Sequence, residues 1–147
     1  MKKDIPLALY KKILRVLPVL TVDLVIVRNG KFLLLKRKND PFKNTWWIPG
    51  GRFRKGETFE SAVHRITKVE TRLRVRVVKL LGVDGMHEHR YGIDVYSIGA
   101  VYLVKPIGKV PAKLRINGES SDAAWFSLIP PGVHPFVKKF LREAGFQ

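Results

Sequence analysis

A chain of 147 residues has the length of one domain, and it can bury roughly two-thirds of its unfolded surface without a disulfide or a structural metal cage. Its 46% hydrophobic and 27% charged residues, free of low-complexity tracts and internal repeats, exclude a disordered or solenoid chain, and the absence of cysteine excludes disulfides and thiol catalysis. The 28 Lys and Arg against 12 Asp and Glu leave a formal charge of +16, which concentrates anions around the surface and favours phosphates as a class rather than one named partner.

In chain order, Pro6 to Leu17 carries Leu9, Ile13, Leu14 and Leu17 at helical spacing, so residues 1–17 are read as an N-terminal helical element of a single domain spanning 1–147. Its apolar face needs a cover, either the domain itself or a second subunit. The apolar run Val16 to Val27 is broken by Pro18 and Asp23 and is too short to span a membrane. Lys11, Lys12 and Arg15 interrupt any signal-peptide pattern, so a cytoplasmic protein is expected. The run VLTVDLVIV, then Arg28-Asn29-Gly30-Lys31, then KFLLLKR predicts an antiparallel hairpin, because Asn-Gly readily supplies the two positive φ angles of its turn. Thr45 to Ile48 reads as a short strand, Thr58 to about Thr71 as a helix, Arg74 to Val83 and Val95 to Val104 as strands. Between these last two, Asp84 to Gly92 reads as a polar loop holding two of the four histidines. Lys105 to Gly118 is a loop ending in a second Asn-Gly turn, followed by a short strand through Trp125 and Phe126 and a closing helix over about Val133 to Ala144. Antiparallel hairpins mixed with helices predict an α+β domain, a mixed sheet flanked by helices.

The segment GGRFRKGETFESAVHRITKVE, Gly50 to Glu70, carries the chemistry. Thr58 is a plausible N-cap, and Phe59, Ala62, Val63, Ile66, Val69 and Leu73 form an apolar stripe that packs on the sheet. Arg65 is placed to reach back to Glu57. Glu70, in the last turn, adds its charge to that of the terminal carbonyls and attracts a cation, a sensible place for Mg²⁺.

Gly51, five residues, Glu57, seven residues, Arg65 and Glu70, preceded by Trp47-Ile48-Pro49-Gly50-Gly51, resemble the signature of the Nudix hydrolases. The usual signature carries glutamate also at positions 66 and 69, where this chain has Ile66 and Val69. That departure is similar to the GDP-mannose mannosyl hydrolase branch, in which Arg-Leu-Thr replaces Arg-Glu-Leu; here the residues are Arg65-Ile66-Thr67. The likeness is close from about Leu17 to Leu81 and loose beyond. It implies a Nudix-type mixed β-sheet sandwiched between α-helices, a nucleotide-sugar substrate such as GDP-mannose, Mg²⁺ and a homodimer. Pyrophosphatases of the family gather several Mg²⁺ ions with a glutamate cluster, whereas one ion needs one or two carboxylates plus phosphates and water. If water attacks C1 of the sugar, one Mg²⁺ with arginines suffices for the diphosphate leaving group, and direct attack inverts the anomeric centre.

On this reading Glu70 is a metal ligand, against a solvated helix-end acid pairing with Lys68 or Arg74, and the carbonyl of Gly50 or Gly51 joins it because glycine lets the main chain come close. Asp23, in an apolar strand, requires a cationic or metal-bound partner if buried; it either orients an active-site arginine or forms a structural pair. Arg37 and Arg52 match diphosphate-contacting positions of the branch, against surface charges. Arg65 is a clamp on Glu57 or a substrate contact, and Tyr96 a substrate contact or an ordinary sheet tyrosine. The branch's Gln-His pair falls on Glu119 and Ser120. Glu119 is then a second metal ligand or the general base, or His87 or His89 supplies the base, or the protein is slow on this substrate, since a serine cannot replace histidine near neutral pH. Arg72 stands where the family has glycine, which suggests a longer last turn.

Two other functions compete. One is a pyrophosphohydrolase attacking phosphorus, disfavoured by Ile66 and Val69. The other is a module that binds nucleotide or RNA without turnover; the +16 charge keeps nucleic acid open as a partner, but no alternating aromatic-basic stacking platform is visible.

Overall fold

The computed structural model describes residues 5–147; the first four residues of the expected N-terminal element lie outside the described residues. The elements run α1 (Leu7–Val16), β1 (Val19–Arg28), β2 (Lys31–Arg37), β3 (Trp46–Trp47), β4 (Gly50–Arg52), α2 (Phe59–Thr71), β5 (Val75–Arg90), β6 (Ile93–Pro106), β7 (Ser120–Phe126) and α3 (Pro135–Glu143). The hairpin read from Asn29-Gly30 forms, with φ of 51° and 71° joining β1 to β2.

β1 lies at the middle of a mixed sheet of order β3-β2-β1-β6-β5, parallel to β6, with β4 also paired to β1 and β7 to β2. The two-residue period of a strand divides its side chains between two layers. Val22, Leu24 and Ile26 pack with Ala62, Val63 and Ile66 of α2, whereas Val25 packs with Phe136, Val137 and Phe140 of α3. A helix therefore covers each face, and the fold is the expected α+β sandwich of a mixed sheet between helices.

The structure departs from the local expectations at three places, residues 84–92, the α2 face and the α2 end, and adds one strand. Asp84 to Gly92 is not a loop: β5 continues to Arg90 and turns into β6 through Tyr91-Gly92, both with positive φ, as in the Asn-Gly hairpin. Gly50 to Arg52 forms a strand, β4, which sets Gly50 opposite Asp23. On α2 the buried face is Ala62, Val63, Ile66, Thr67 and Thr71, with Phe59 and Val69 exposed. Both threonines return their hydroxyls to the helix, Thr67 to Val63 O and Thr71 to Thr67 O at 2.7 Å each, which is how polar residues occupy a core face. Helix α2 also ends without extension, Arg72 itself adopting φ 61° as the left-handed cap.

The domain covers α1 only in part. Leu14 is buried, while Leu7, Leu9, Val16 and Leu17 stay exposed. No helix among the described residues is long and apolar enough to cross a membrane.

Candidate active site

A cavity of about 500 Å³ opens on the sheet. Its floor is made of alternate residues, as the strand period requires: Val19, Thr21 and Asp23 of β1, Val95, Ser97 and Gly99 of β6, Met86, Glu88 and Arg90 of β5. Around it stand Gly50, Gly51 and Arg52 from β4, Glu70 from α2, Arg37 at the end of β2, Tyr10 from α1, and Glu119 with Ser120 at the start of β7. The cavity thus collects Asp23, Arg37, Gly50, Gly51, Arg52, Glu70 and Glu119 out of the residues expected from sequence.

Glu70 and Glu119 are brought together by Asn117, whose side-chain nitrogen donates to Glu70 Oε1 at 3.0 Å while its side-chain oxygen accepts from the Glu119 backbone N–H at 3.1 Å. The second Asn-Gly turn forms, with Ser120 N–H reaching Asn117 O at 3.3 Å, and the asparagine side chain ties the Glu70 carboxylate to the backbone of Glu119. Burial pushes the Glu70 carboxyl above its ordinary value; the Asn117 hydrogen bond opposes this and the nearby Glu119 charge adds to it. Asn39 donates to Glu119 Oε2 at 3.2 Å. Two neighbouring carboxylates beside a backbone of two glycines suit one hard cation with water and phosphate completing its shell. They do not suit a cluster. Among the described residues no three His, Cys, Asp or Glu gather in the geometry of a metal site. Ile66 is 2% exposed, and a Cβ built on Gly51 would lie 3.3 Å from it; Val69 is exposed.

Asp23 is 7% exposed and sits in a niche left by two glycines: a Cβ at Gly50 would collide with its carboxylate, and one at Gly99 would come within 2.7 Å of Oδ2. Its hydrogen bond is from Thr21 Oγ1, at 2.7 Å to Oδ2; among the described residues it has neither an arginine nor another basic partner. The expected cationic pair is absent, and the cost of burial emerges in the titration instead. Desolvation pushes the pKa up to about 7, with Thr21 opposing and Glu88 adding to the rise. Arg37 donates its Nε to Pro41 O at 2.6 Å, and burial, followed by the Arg90 charge, lowers its pKa. The guanidinium of Arg52 lies over the Tyr10 ring, 4.8 Å from its centroid.

Four expected residues lie outside the cavity. Arg65 clamps Glu57 through Nε and Nη2, both at 2.8 Å, and donates to Arg52 O at 2.9 Å; the bond from Arg65 holds Glu57 below the usual carboxylate range. His87, His89 and Tyr96 are exposed and fall on the alternate positions of β5 and β6, so they point away from the floor. His87 stacks on Tyr96 at 4.9 Å between ring centroids.

Glu88, Arg90 and Tyr10 were passed over by the sequence reading. Once 84–92 is a strand, the period that turns both histidines out turns Glu88 and Arg90 in; nothing in the sequence pairs α1 with the cavity.

The family model described as NUDIX domain matches residues 17–143. The chain is 39% identical over 111 residues to the ADP-ribose pyrophosphatase of Methanocaldococcus jannaschii, an alignment covering 76% of this chain and 63% of that protein, so the likeness spans less than two-thirds of the relative's length. It is 31% identical over 128 residues to the low-salt glycan biosynthesis protein Agl8 of Haloferax volcanii, covering 84% and 80% of the two chains. A crystal structure of a MutT Nudix hydrolase from Burkholderia pseudomallei superposes with a TM-score of 0.74 at 26% identity, over 86% of this chain and 98% of the other.

Proposed function

This chain belongs to the NUDIX domain family, and from that premise we propose that it is a Mg²⁺-dependent hydrolase of nucleoside diphosphate derivatives whose substrate is a nucleotide sugar such as GDP-mannose, cleaved at the sugar C1. The observation that carries the finer reading is Ile66. Its side chain is buried against Gly51 where the family's signature carries glutamate, so the carboxylates that would assemble several ions around a phosphorus are missing and the donor set is that of one ion.

Glu70 and the carbonyl of Gly50 or Gly51 would hold the ion, with Glu119 beside it as the base; bound there, Mg²⁺ would supply charge neutralisation to a diphosphate leaving group. Arg37, steadied by Pro41 O, and Arg52, steadied on Tyr10, bind phosphate oxygens with their remaining N–H groups. Water attacks C1, the C1–O bond breaks, and its electron pair leaves with the diphosphate. The water's proton goes to Glu119, the candidate base that lines the cavity, since both histidines lie on the far face of the hairpin. Arg65 serves the site indirectly by fixing Glu57 and the Arg52 carbonyl.

The 39% identity to an ADP-ribose pyrophosphatase favours a second reading, attack at phosphorus on a related substrate. Hydrolysis in ¹⁸O-labelled water separates the two: label in the free sugar supports attack at carbon, label in a phosphate supports the pyrophosphatase, and no turnover of any nucleotide sugar or ADP-ribose overturns both. Within the first reading, Glu119→Gln is expected to lower kcat about 10²–10⁴-fold with little change in KM, the range of a lost general base. An unaltered kcat would remove Glu119 from that role.

A further inference from the structure

Beyond the residues matched to the family's signature, the cavity floor holds a second charged group. Glu88 is 7% exposed at its side chain, and its Oε1 lies 3.2 Å from Arg90 Nη2. Both line the cavity from consecutive inward positions of β5. Arg90 Nε is buried and has no hydrogen-bond partner, the sole buried side-chain nitrogen or oxygen in that condition among the described residues. The Arg90 side chain as a whole is 31% exposed, so the pair is closed in at the acid and at Nε but open to the cavity along the rest of the base.

We infer that Glu88 and Arg90 are a recognition pair for two neighbouring hydroxyls of the substrate, with the carboxylate accepting from one and Arg90 donating to the other. Together the two side chains are neutral, so the pair neither attracts a phosphate nor tolerates an apolar group, which would leave the buried Glu88 carboxylate and its half-buried arginine facing hydrocarbon. A vicinal diol offers both a donor and an acceptor at hydroxyl spacing. A nucleobase edge is also a donor–acceptor array, but a base needs a flat slot. The rings beside Arg90 do not make one: Tyr91 meets Tyr10 edge-on at 72°, with centroids 6.4 Å apart. Arg37, Glu70, Glu119, Glu88 and Arg90 line one cavity, so a ligand whose diphosphate is held at Arg37 shares that cavity with the acids of the proposed ion site and with the recognition pair. The inference rests on the nucleotide-sugar reading, and the shared chemistry, a cis or trans diol, is present in a ribose and in a hexose.

The test is binding measured by stopped-flow quenching of tryptophan fluorescence with Mg²⁺ present, read before turnover, using GDP-mannose, GDP and 2′,3′-dideoxy-GDP. Arg90→Lys keeps the charge but loses Nε and the fork, Glu88→Gln keeps the shape, and the double variant Glu88→Gln/Arg90→Gln leaves no buried charge unpaired should a single variant fold poorly. Each is expected to weaken GDP-mannose about 10- to 100-fold, the loss of hydrogen bonds to charged groups. If the hexose is read, GDP affinity does not change; if the ribose is read, GDP weakens equally and the dideoxy nucleotide is unaffected. Either pattern supports the pair. Unchanged affinity for every ligand overturns it, as does an equal loss for all three, which would mean a phosphate or base contact. A wild-type protein that binds none of the three overturns the nucleotide-sugar reading itself, and the pair's role with it.

Discussion

Asp23 was legible in the sequence as an acid out of place in an apolar strand; its neighbours were not, because they come from β4 and β6, with Gly50 and Gly99 making the niche. The expectation of a cationic partner followed from the cost of burying a charge, and in its absence burial pushes the carboxyl up to about 7, so the neutral form is favoured below that pH. The sign of the consequence is fixed by the shift from 3.8 to about 7. Between these values the folded protein keeps a proton that the unfolded chain has released, so this group's contribution is complete below about pH 4, declines as pH rises, and is gone above about pH 7. At about 1.4 kcal/mol per pK unit the decline amounts to about 4 kcal/mol. Asp23→Asn keeps the shape and the Thr21 neighbour without a titrating proton. In EDTA, denaturant unfolding of the variant is expected to lose less stability than wild type between pH 4.5 and 7.5, by about the decline assigned to Asp23, and to show the variant more stable than wild type at pH 7.5. Parallel pH profiles for the two proteins would mean that the carboxyl stays ionised, with a partner the side-chain geometry does not provide.

At the scale of elements, the β1–β2 hairpin, the helices and most strands could be read because each carries its own local signal: Asn-Gly with its two positive φ angles, threonine at an N-cap, apolar residues at three and four. The β5–β6 hairpin carries a turn of the same geometry on Tyr91-Gly92, but tyrosine is not a turn signal and Asp-Gly-Met-His-Glu-His-Arg is polar enough to read as loop. Its pairing is fixed by β6, from Asp84↔Gly99 to Arg90↔Ile93, and so by tertiary context. That one difference hid Glu88 and Arg90, and it made candidates of two histidines that the strand turns away from the cavity. The end of α2 shows the reverse. Arginine where the family has glycine suggested a longer helix, yet Arg72 takes φ 61° and its N–H bonds to Lys68 O, because the chain must turn at once to begin β5. An L-residue in that conformation costs about 1–2 kcal/mol, while glycine there gives back part of the gain through its freer unfolded chain. Arg72→Gly is therefore expected to stabilise the protein by about 0.5–1 kcal/mol, read as a higher denaturant midpoint at unchanged m. A lower midpoint would mean that the Arg72 side chain makes a contact worth more than the backbone relief.

Across the whole molecule the charge was legible as a total but not as a distribution, since chain order does not say which acids face inward. Among the described residues, five acids, Asp23, Asp40, Glu70, Glu88 and Glu119, line the cavity along with three basic residues, Arg37, Arg52 and Arg90. The basic excess of the described residues therefore lies outside a cavity richer in acids than in bases. On the proposed function, an anionic substrate would be drawn toward such a surface and meet carboxylates on entry, which a bound cation would offset before a diphosphate settled between Arg37 and Arg52. Surface attraction is screened over a Debye length of about 10 Å at 0.1 M salt and about 3 Å at 1 M, whereas the contacts inside the cavity are screened much less. Raising NaCl from 50 to 500 mM at saturating Mg²⁺ is accordingly expected to lower kcat/KM for a nucleotide sugar about tenfold while kcat changes little, because capture depends on the outer charge and the bound complex on the inner. A fall in kcat equal to the fall in kcat/KM would place the salt-sensitive charges inside the cavity, and no fall in either would mean that the basic exterior takes no part in bringing substrate to the site.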